Sequence, residues 1–302
     1  MEAVIVNNIV KTYDKGKKKA VNNVSFSVNK SELFGLIGPD GAGKTSIFRI
    51  LTTLLLPDTG TATINGLDVI KDFKTLRKSI GYMPGRFSLY EDLTVHENLT
   101  FFATLFNTTL AENYAVIKEI YVQIEPFKDR RAGKLSGGMK QKLALCCALI
   151  HKPNILFLDE PTTGVDPVSR KEFWEMLKRL KEQQITIIVS TPYMDEANLC
   201  DRIALLQEGN ILSIDTPQNI INSYPNELFA IKADQMYQLL LVLKEYPQRN
   251  DSYAFGEYVH FTFKGKSDPT HLEQYLINNG LNEVLIKEAA VTIEDSFINL
   301  MT

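Results

Sequence analysis

The chain has 302 residues, 44% hydrophobic and 23% charged, with a formal net charge of −3. This composition excludes a disordered chain, the length suggests about two domains, and the acidic balance argues against a nucleic-acid partner, which prefers a basic face. Three cysteines without metal-ligand spacing make no disulfide framework, and no run approaches the roughly 18 apolar residues that a membrane span needs.

Along the chain, Glu2 to Val6 and Val24 to Val28 read as short strands joined by a solvated, lysine-rich turn (Lys15, Lys17, Lys18, Lys19). The N-terminus has no apolar segment of signal-peptide kind, so a cytoplasmic protein is expected, with any membrane role running through a partner. Leu33 to Ile37 is an apolar strand feeding a glycine loop, and Ser46 to Leu55 a helix closed by Pro57. From Tyr90 to Ile124 the apolar spacing is helical, with Leu99, Phe102 and Phe106, then Val116 and Ile120. Lys140 to Ile150 is an apolar helix carrying Cys146 and Cys147. Ile155 to Leu158 reads as a strand buried on both faces, Phe173 to Lys181 as an amphipathic helix and Ile185 to Val189 as another buried strand. That strand runs into Ser190-Thr191-Pro192, where proline ends the ladder because it has no N–H.

The pattern changes near Tyr224-Pro225. Strands at Leu228 to Lys232, near Tyr253, at Tyr258 to Phe263 and at Glu283 to Lys287 alternate with helices at Gln235 to Lys244 and Pro269 to Asn278. This β-α-β-β-α-β order predicts a small split βαβ, ferredoxin-like domain.

Gly38-Pro39-Asp40-Gly41-Ala42-Gly43-Lys44-Thr45 matches the phosphate-binding loop, with Ser46 following. Glycines let successive backbone N–H groups turn toward one anion, and the helix after the loop presents its positive end. Lys44 is placed to reach the outer phosphates, and Thr45 to hold Mg²⁺. Asp159 and Glu160 end the strand at Ile155 to Leu158. Apolar strands often end in acids, but with a phosphate loop upstream they read as a Mg²⁺ ligand and a group that polarises the attacking water. Leu135-Ser136-Gly137-Gly138-Met139-Lys140-Gln141 opens a helix with a natural N-cap and two glycines. A plain capped helix and a second anion site both explain it, and two such sites in one chain suggest a nucleotide sandwiched between two chains.

The order phosphate loop, LSGGMKQ, ILFLDEP, TGVDP resembles the nucleotide-binding subunit of ABC transporters over about residues 1–220. The resemblance implies a P-loop α/β ATPase core in residues 1–224, a helical subdomain over about 88–150 that docks on a membrane permease, and an accessory α+β domain in residues 225–302. It implies that Tyr13 stacks on adenine, that Leu135, Ser136, Gly137, Gly138 and Gln141 form the signature that closes a partner's ATP site, and that Asp166 communicates across the dimer. With Thr292-Ile293-Glu294-Asp295-Ser296-Phe297 in its tail, the chain resembles ATPases of drug-resistance and polysaccharide-type exporters, and its GPDGAGKT and SLYEDLTV wording resembles multidrug exporters with paired, non-identical halves.

Two positions depart from the family. A glutamine that touches Mg²⁺ and the attacking water is expected where Gly85 stands. A histidine that bonds the γ-phosphate is expected where Pro192 stands. His96, His151, His260 and His271 are distant in sequence, and the first glutamine is Gln123. The expectation is therefore an ATP- and Mg²⁺-binding exporter subunit with weak hydrolysis of its own. A second ATPase chain is expected to complete a heterodimer, favoured over a homodimer, on the cytoplasmic face of the membrane. The alternatives are a slow homodimeric ATPase, a soluble ABC-type protein of translation or repair, and a nucleotide-sensing regulator. One ATPase core and no coiled-coil insertion count against the translation reading.

Overall fold

Three apolar segments are buried at every position, as strands covered on both faces must be: Leu33–Ile37, Ile155–Asp159 and Thr186–Thr191. In the structure, a computed structural model that describes residues 1–301, they lie side by side in one sheet. The chain divides into two units, residues 1–220 and 221–300.

In chain order the first unit contains β1 (Glu2–Tyr13), β2 (Lys18–Asn29), β3 (Leu33–Ile37), α1 (Lys44–Leu51), β4 (Thr59–Ile64), β5 (Leu67–Asp68), α2 (Phe73–Ser79) and β6 (Ile80–Met83). Then come α3 (Val95–Leu105), α4 (Leu110–Tyr121), α5 (Gly137–Leu149), β7 (Ile155–Asp159), α6 (Pro167–Glu182), β8 (Thr186–Thr191), β9 (Arg202–Gln207) and β10 (Asn210–Asp215). α7 (Pro217–Asn222) follows. One sheet has the order β2-β1-β4-β5 and is antiparallel. The other has the order β10-β9-β3-β8-β7-β6, parallel except for β10. Between them lies a core in which Phe26 stacks on Phe34 at 5.5 Å and Phe48 of α1 meets Phe157 of β7 edge-on at 5.9 Å. Each such ring buried contributes about 1.5–3 kcal/mol.

Register sets what the parallel sheet presents at its carboxyl edge. Ile37 pairs with Thr191, Asp159 with Ser190, and Met83 with Leu158. The segments leaving β3, β8, β7 and β6 therefore emerge from the same edge, where ligands of parallel sheets gather.

Several elements differ from the sequence reading. β1 and β2 are longer than expected and irregular in register. The first helix ends at Leu51 and not Leu55, because Thr53 takes a left-handed φ of 63°. The segment Tyr90 to Ile124 holds two helices, each with its own capping box, Thr94 with Glu97 and Thr109 with Glu112. β4, β5, β6, β9 and β10, not anticipated, complete the two sheets.

The second unit contains β11 (Phe229–Lys232), α8 (Met236–Glu245), β12 (Arg249–Phe255), β13 (Tyr258–Phe263), α9 (Pro269–Asn278), β14 (Leu285–Glu288) and α10 (Ile293–Met301). The sheet order is β12-β13-β11-β14, antiparallel throughout. Its core joins Leu239 and Leu243 of α8 and Leu272 and Leu276 of α9 to Phe261 and Phe263. The start of α10 is fixed by the fully buried Asp295. That carboxylate accepts hydrogen bonds from Thr292 N–H and Oγ1 (both 2.7 Å), Tyr253 Oη (2.7 Å) and His260 Nδ1 (2.6 Å). Burial would raise its pKa, but these donors outweigh burial and hold it below the ordinary carboxylate value.

Candidate functional site

The loop after β3 is cut to its neighbours. At Gly43, φ is 103°, and an added Cβ would come within 2.2 Å of the Ala20 carbonyl oxygen, so no other residue fits there. Lys44 follows and is 3% exposed. Its ammonium donates to the carbonyls of Gly38 (2.7 Å) and Pro39 (3.1 Å) and pairs with Glu160 Oε1 at 3.2 Å.

β7 delivers the acids. Asp159, 2% exposed, accepts at Oδ1 from Thr45 Oγ1 (3.3 Å) and from Ser190 Oγ (2.6 Å). Burial, with a smaller contribution from the Asp159 charge, pushes the nearby Tyr82 phenol up to about 12. Glu160 sits in left-handed conformation at φ 50°, a strain of about 1–3 kcal/mol for a residue with a side chain. Its N–H is held by Ser190 through both the carbonyl and the hydroxyl, each at 3.0 Å. This aims the Glu160 carboxylate at Lys44.

Lys44, Thr45 and Glu160, though not Asp159, border a cavity of about 340 Å³ that is also lined by Tyr13, Asp14, Lys18, Ala20, Gly41 to Gly43 and Ser46. The Tyr13 and Ser46 hydroxyls share a hydrogen bond at 3.1 Å. Thr45 and Asp159 fit Mg²⁺, a hard cation that takes one or two protein oxygens and completes its shell with phosphate and water. Among the described residues no cluster of three or more His, Cys, Asp or Glu forms a metal site by itself.

Not every expected residue comes to this cavity. Gly38 and Pro39 contribute only carbonyls toward Lys44, and Asp40 is exposed outside the lining. Leu135, Ser136, Gly137, Gly138 and Gln141, expected to serve a partner's ATP site and not this one, do not line it. Ser136 instead caps α5, accepting from Met139 N–H at 3.4 Å. Asp166 caps α6 by accepting from Ser169 N–H at 3.0 Å, which lowers its pKa. Gly85 follows β6, where an added Cβ would stand 3.0 Å from the Asp159 carbonyl oxygen. Pro192 follows β8 directly. Sequence reading missed Ser190, although a hydroxyl in an apolar central strand must find a partner, and that signal was legible.

A second cavity, about 290 Å³ and mainly apolar, lies beside Gly85. Phe87, Leu89, Phe102, Phe106 and Gln141 line it. Phe106 stacks on His151 at 3.8 Å, and burial lowers the pKa of that imidazole. Tyr90, Phe101 and Leu105 of the same region are 51%, 40% and 61% exposed, and the Tyr90 and Phe101 rings meet edge-on at 4.9 Å.

Residues 21–163 match the ABC transporter family model. The chain is 39% identical over 306 residues to the probable multidrug ABC transporter ATP-binding protein YbhF of Escherichia coli, covering 99% of this chain and 52% of that protein. It is 35% identical over 302 residues to the Nod factor export ATP-binding protein I of Mesorhizobium japonicum, covering 99% of this chain and 86% of that one. It thus spans about half the length of the first relative and most of the second. Among solved structures it resembles a Clostridium perfringens subunit of the cbiONQ ABC transporter complex, with TM-score 0.66 and 25% identity, over 74% of this chain and 91% of the other. It also resembles an ATP-binding cassette solved as a dimer after hydrolysis with ADP and Pi, with TM-score 0.64 and 26% identity, over 70% of this chain and 98% of the other.

Proposed function

We propose that the chain, which belongs to the family of ABC transporter ATP-binding proteins, is the ATP-binding subunit of a membrane exporter whose own site binds ATP firmly and turns it over little. The observation that carries this reading is the asymmetry of one sheet edge. Lys44, Thr45, Asp159 and Glu160 converge within hydrogen-bond or ion-pair distance, whereas the two neighbouring strand exits carry Gly85 and Pro192.

Binding rests on the complete part. An incoming triphosphate takes over Lys44 from the carbonyls of Gly38 and Pro39, and the N–H groups of Gly41 to Thr45 surround its phosphates. Thr45 and Asp159 would hold Mg²⁺, which neutralises charge on the phosphates. Tyr13 packs on the adenine. Glu160, freed from Lys44, orients water. Neither Gly85 nor Pro192 offers a side-chain donor to the γ-phosphate. Losing one positioned polar group of this sort costs about 10²–10³ in rate, and two losses need not add.

Ser136, Gly137 and Gly138 at the N-terminus of α5 then serve a second ATPase chain. A heterodimer is the economical reading, because this chain can complete a better-equipped site that it does not itself possess. The apolar cavity beside Gly85, with Phe102 and Phe106, receives a short amphipathic helix of a permease. Among the described residues no helix is long and apolar enough to cross a membrane, so attachment to the cytoplasmic face runs through that partner. The export role is supported by relatives named for multidrug and Nod factor export.

In the reconstituted pair, Ser136→Arg should stop turnover, while Glu160→Gln should lower it far less. If Glu160→Gln silences the complex as fully, this chain's own site is a working catalyst and the slow homodimer replaces the proposal.

A further inference from the structure

Glu196 lies outside the phosphate cavity, yet it is 2% exposed and its carboxylate is fully engaged. A buried charge is kept only where donors surround it, and here they come from three separate segments. Thr191 Oγ1 donates to Oε2 at 2.5 Å and Thr162 Oγ1 to the same oxygen at 3.1 Å. Arg170 reaches Oε1 with Nε at 3.1 Å and Nη2 at 3.0 Å.

The chain positions of these donors carry the inference. Thr162 and Arg170 stand on either side of the loop Thr163-Gly164-Val165-Asp166, and both bind the same carboxylate. Val165 N–H returns to the Thr162 carbonyl at 3.2 Å, and Arg170 N–H to the Asp166 carbonyl at 2.9 Å. Thr191 is the last residue of β8. Because Pro192 has no N–H, the first donor beyond the strand is Tyr193 N–H, and it bonds Thr191 Oγ1 at 3.1 Å. The Tyr193 ring then lies under the Arg170 guanidinium, 4.2 Å from its centroid. Asp195 adds a weaker, exposed contact to Arg170 at 3.4 Å.

We infer that Glu196 is a positioning residue: it clamps both ends of the Asp166 loop and locks that loop to the Pro192 turn, so that the two move as one piece. Arg170 Nε donates to Oε1 and Nη2 adds an ion-pair contact to the same oxygen, so the clamp combines a directed, charge-assisted hydrogen bond with charge neutralisation. The inferred consequence for catalysis rests on the two-chain reading given above: the loop that faces the partner keeps its place only while the clamp is closed.

The test uses the full chain and two variants that disturb the clamp without leaving a large hole, Glu196→Gln and Arg170→Met. By amide exchange, residues 163–166 should exchange at least about tenfold faster in each variant, with β7 and β8 unchanged, and the double variant should be no worse than either single one. A merely structural role predicts faster exchange throughout the sheet, and that result overturns the inference. In the reconstituted pair each variant should lower kcat about tenfold with KM within about twofold, and should leave binding of a fluorescent ATP analogue to this chain unchanged. Wild-type kcat in both variants, in a pair that Ser136→Arg still silences, also overturns it. If Ser136→Arg remains active while exchange behaves as expected, the two-chain reading falls and the clamp stands.

Discussion

The exits of β3 and β7 differ sharply from those of β6 and β8, although all four leave the same sheet edge. At β3 and β7, the side chains proposed to hold the phosphates and Mg²⁺ are each held by a neighbour: Lys44 by Gly38, Pro39 and Glu160, and Asp159 by Thr45 and Ser190. At β6 and β8, the exits are Gly85, with no side chain, and Pro192, with neither donor nor N–H. On the function proposed above, binding and turnover draw on separate strands, and a chain can keep one while losing much of the other. The difference also shows in packing. Gly85 sits so near Asp159 that the space a glutamine Cβ would take is already tight at 3.0 Å, and the β8 exit is closed by Tyr193 and Thr191 in place of a histidine.

The strongest way to break this comparison is Lys44→Ala. It removes the charged donor at the centre of the complete half and should weaken binding of a fluorescent ATP analogue by about a hundredfold or more, since hydrogen bonds to charged groups are each worth about 1.5–3 kcal/mol. Undiminished affinity would remove the site assignment. The comparison is sharpened from the other side by Pro192→His, which should raise turnover of the purified chain about tenfold or more. Gly85→Gln should gain less, because its Cβ must first displace the Asp159 carbonyl; an equal or larger gain would show that this contact yields without cost. Next, Tyr13→Ala should weaken ATP binding about tenfold through lost stacking, and Tyr13→Phe, which forfeits only the Ser46 hydrogen bond, by a few-fold at most. A titration in which Tyr13→Ala binds like wild type would leave the tyrosine as an ordinary strand-end residue.

The smallest effect on the site is expected from the second unit. Asp295→Asn should leave ATP binding unchanged but alter how that unit's stability depends on acid. The folded pKa of Asp295 is depressed, so the stability it contributes is fully present above its unfolded value of about 3.9 and is lost as pH falls through the folded one. Melting curves of the variant should therefore be lower than wild type at neutral pH and flatter below about pH 4. Identical acid limbs would mean that the four hydrogen bonds to Asp295 contribute little.

Legibility followed locality. The phosphate loop was readable because its chemistry is made by consecutive backbone groups, and Ser136 was readable as a helix cap for the same reason. The capping boxes at Thr94 and Thr109 were equally local, yet the continuous helical spacing of apolar residues across Tyr90 to Ile124 masked the break between them. Ser190 could have been noticed as a polar residue in an apolar strand, but its partners at Asp159 and Glu160 lie some thirty positions away and depend on register. Strands buried on both faces have no alternation from which register can be read.

By itself, then, the sequence determined that this protein carries a phosphate loop with a paired acidic strand end, an ABC-type signature, and two polar positions occupied by Gly85 and Pro192. The phosphate loop, the acidic strand end and the signature are each a run of neighbours whose geometry is set by backbone conformation. Only the tertiary structure decided that Asp40 lies outside the lining of the phosphate cavity, that Ser190 ties Asp159 to Glu160, and that Glu196 gathers Thr162, Arg170 and Thr191 onto one carboxylate. The physical reason is that parallel strands pair segments far apart in the chain. Which side chains meet at their ends is fixed by strand order and register, and those are settled by burial of the whole sheet.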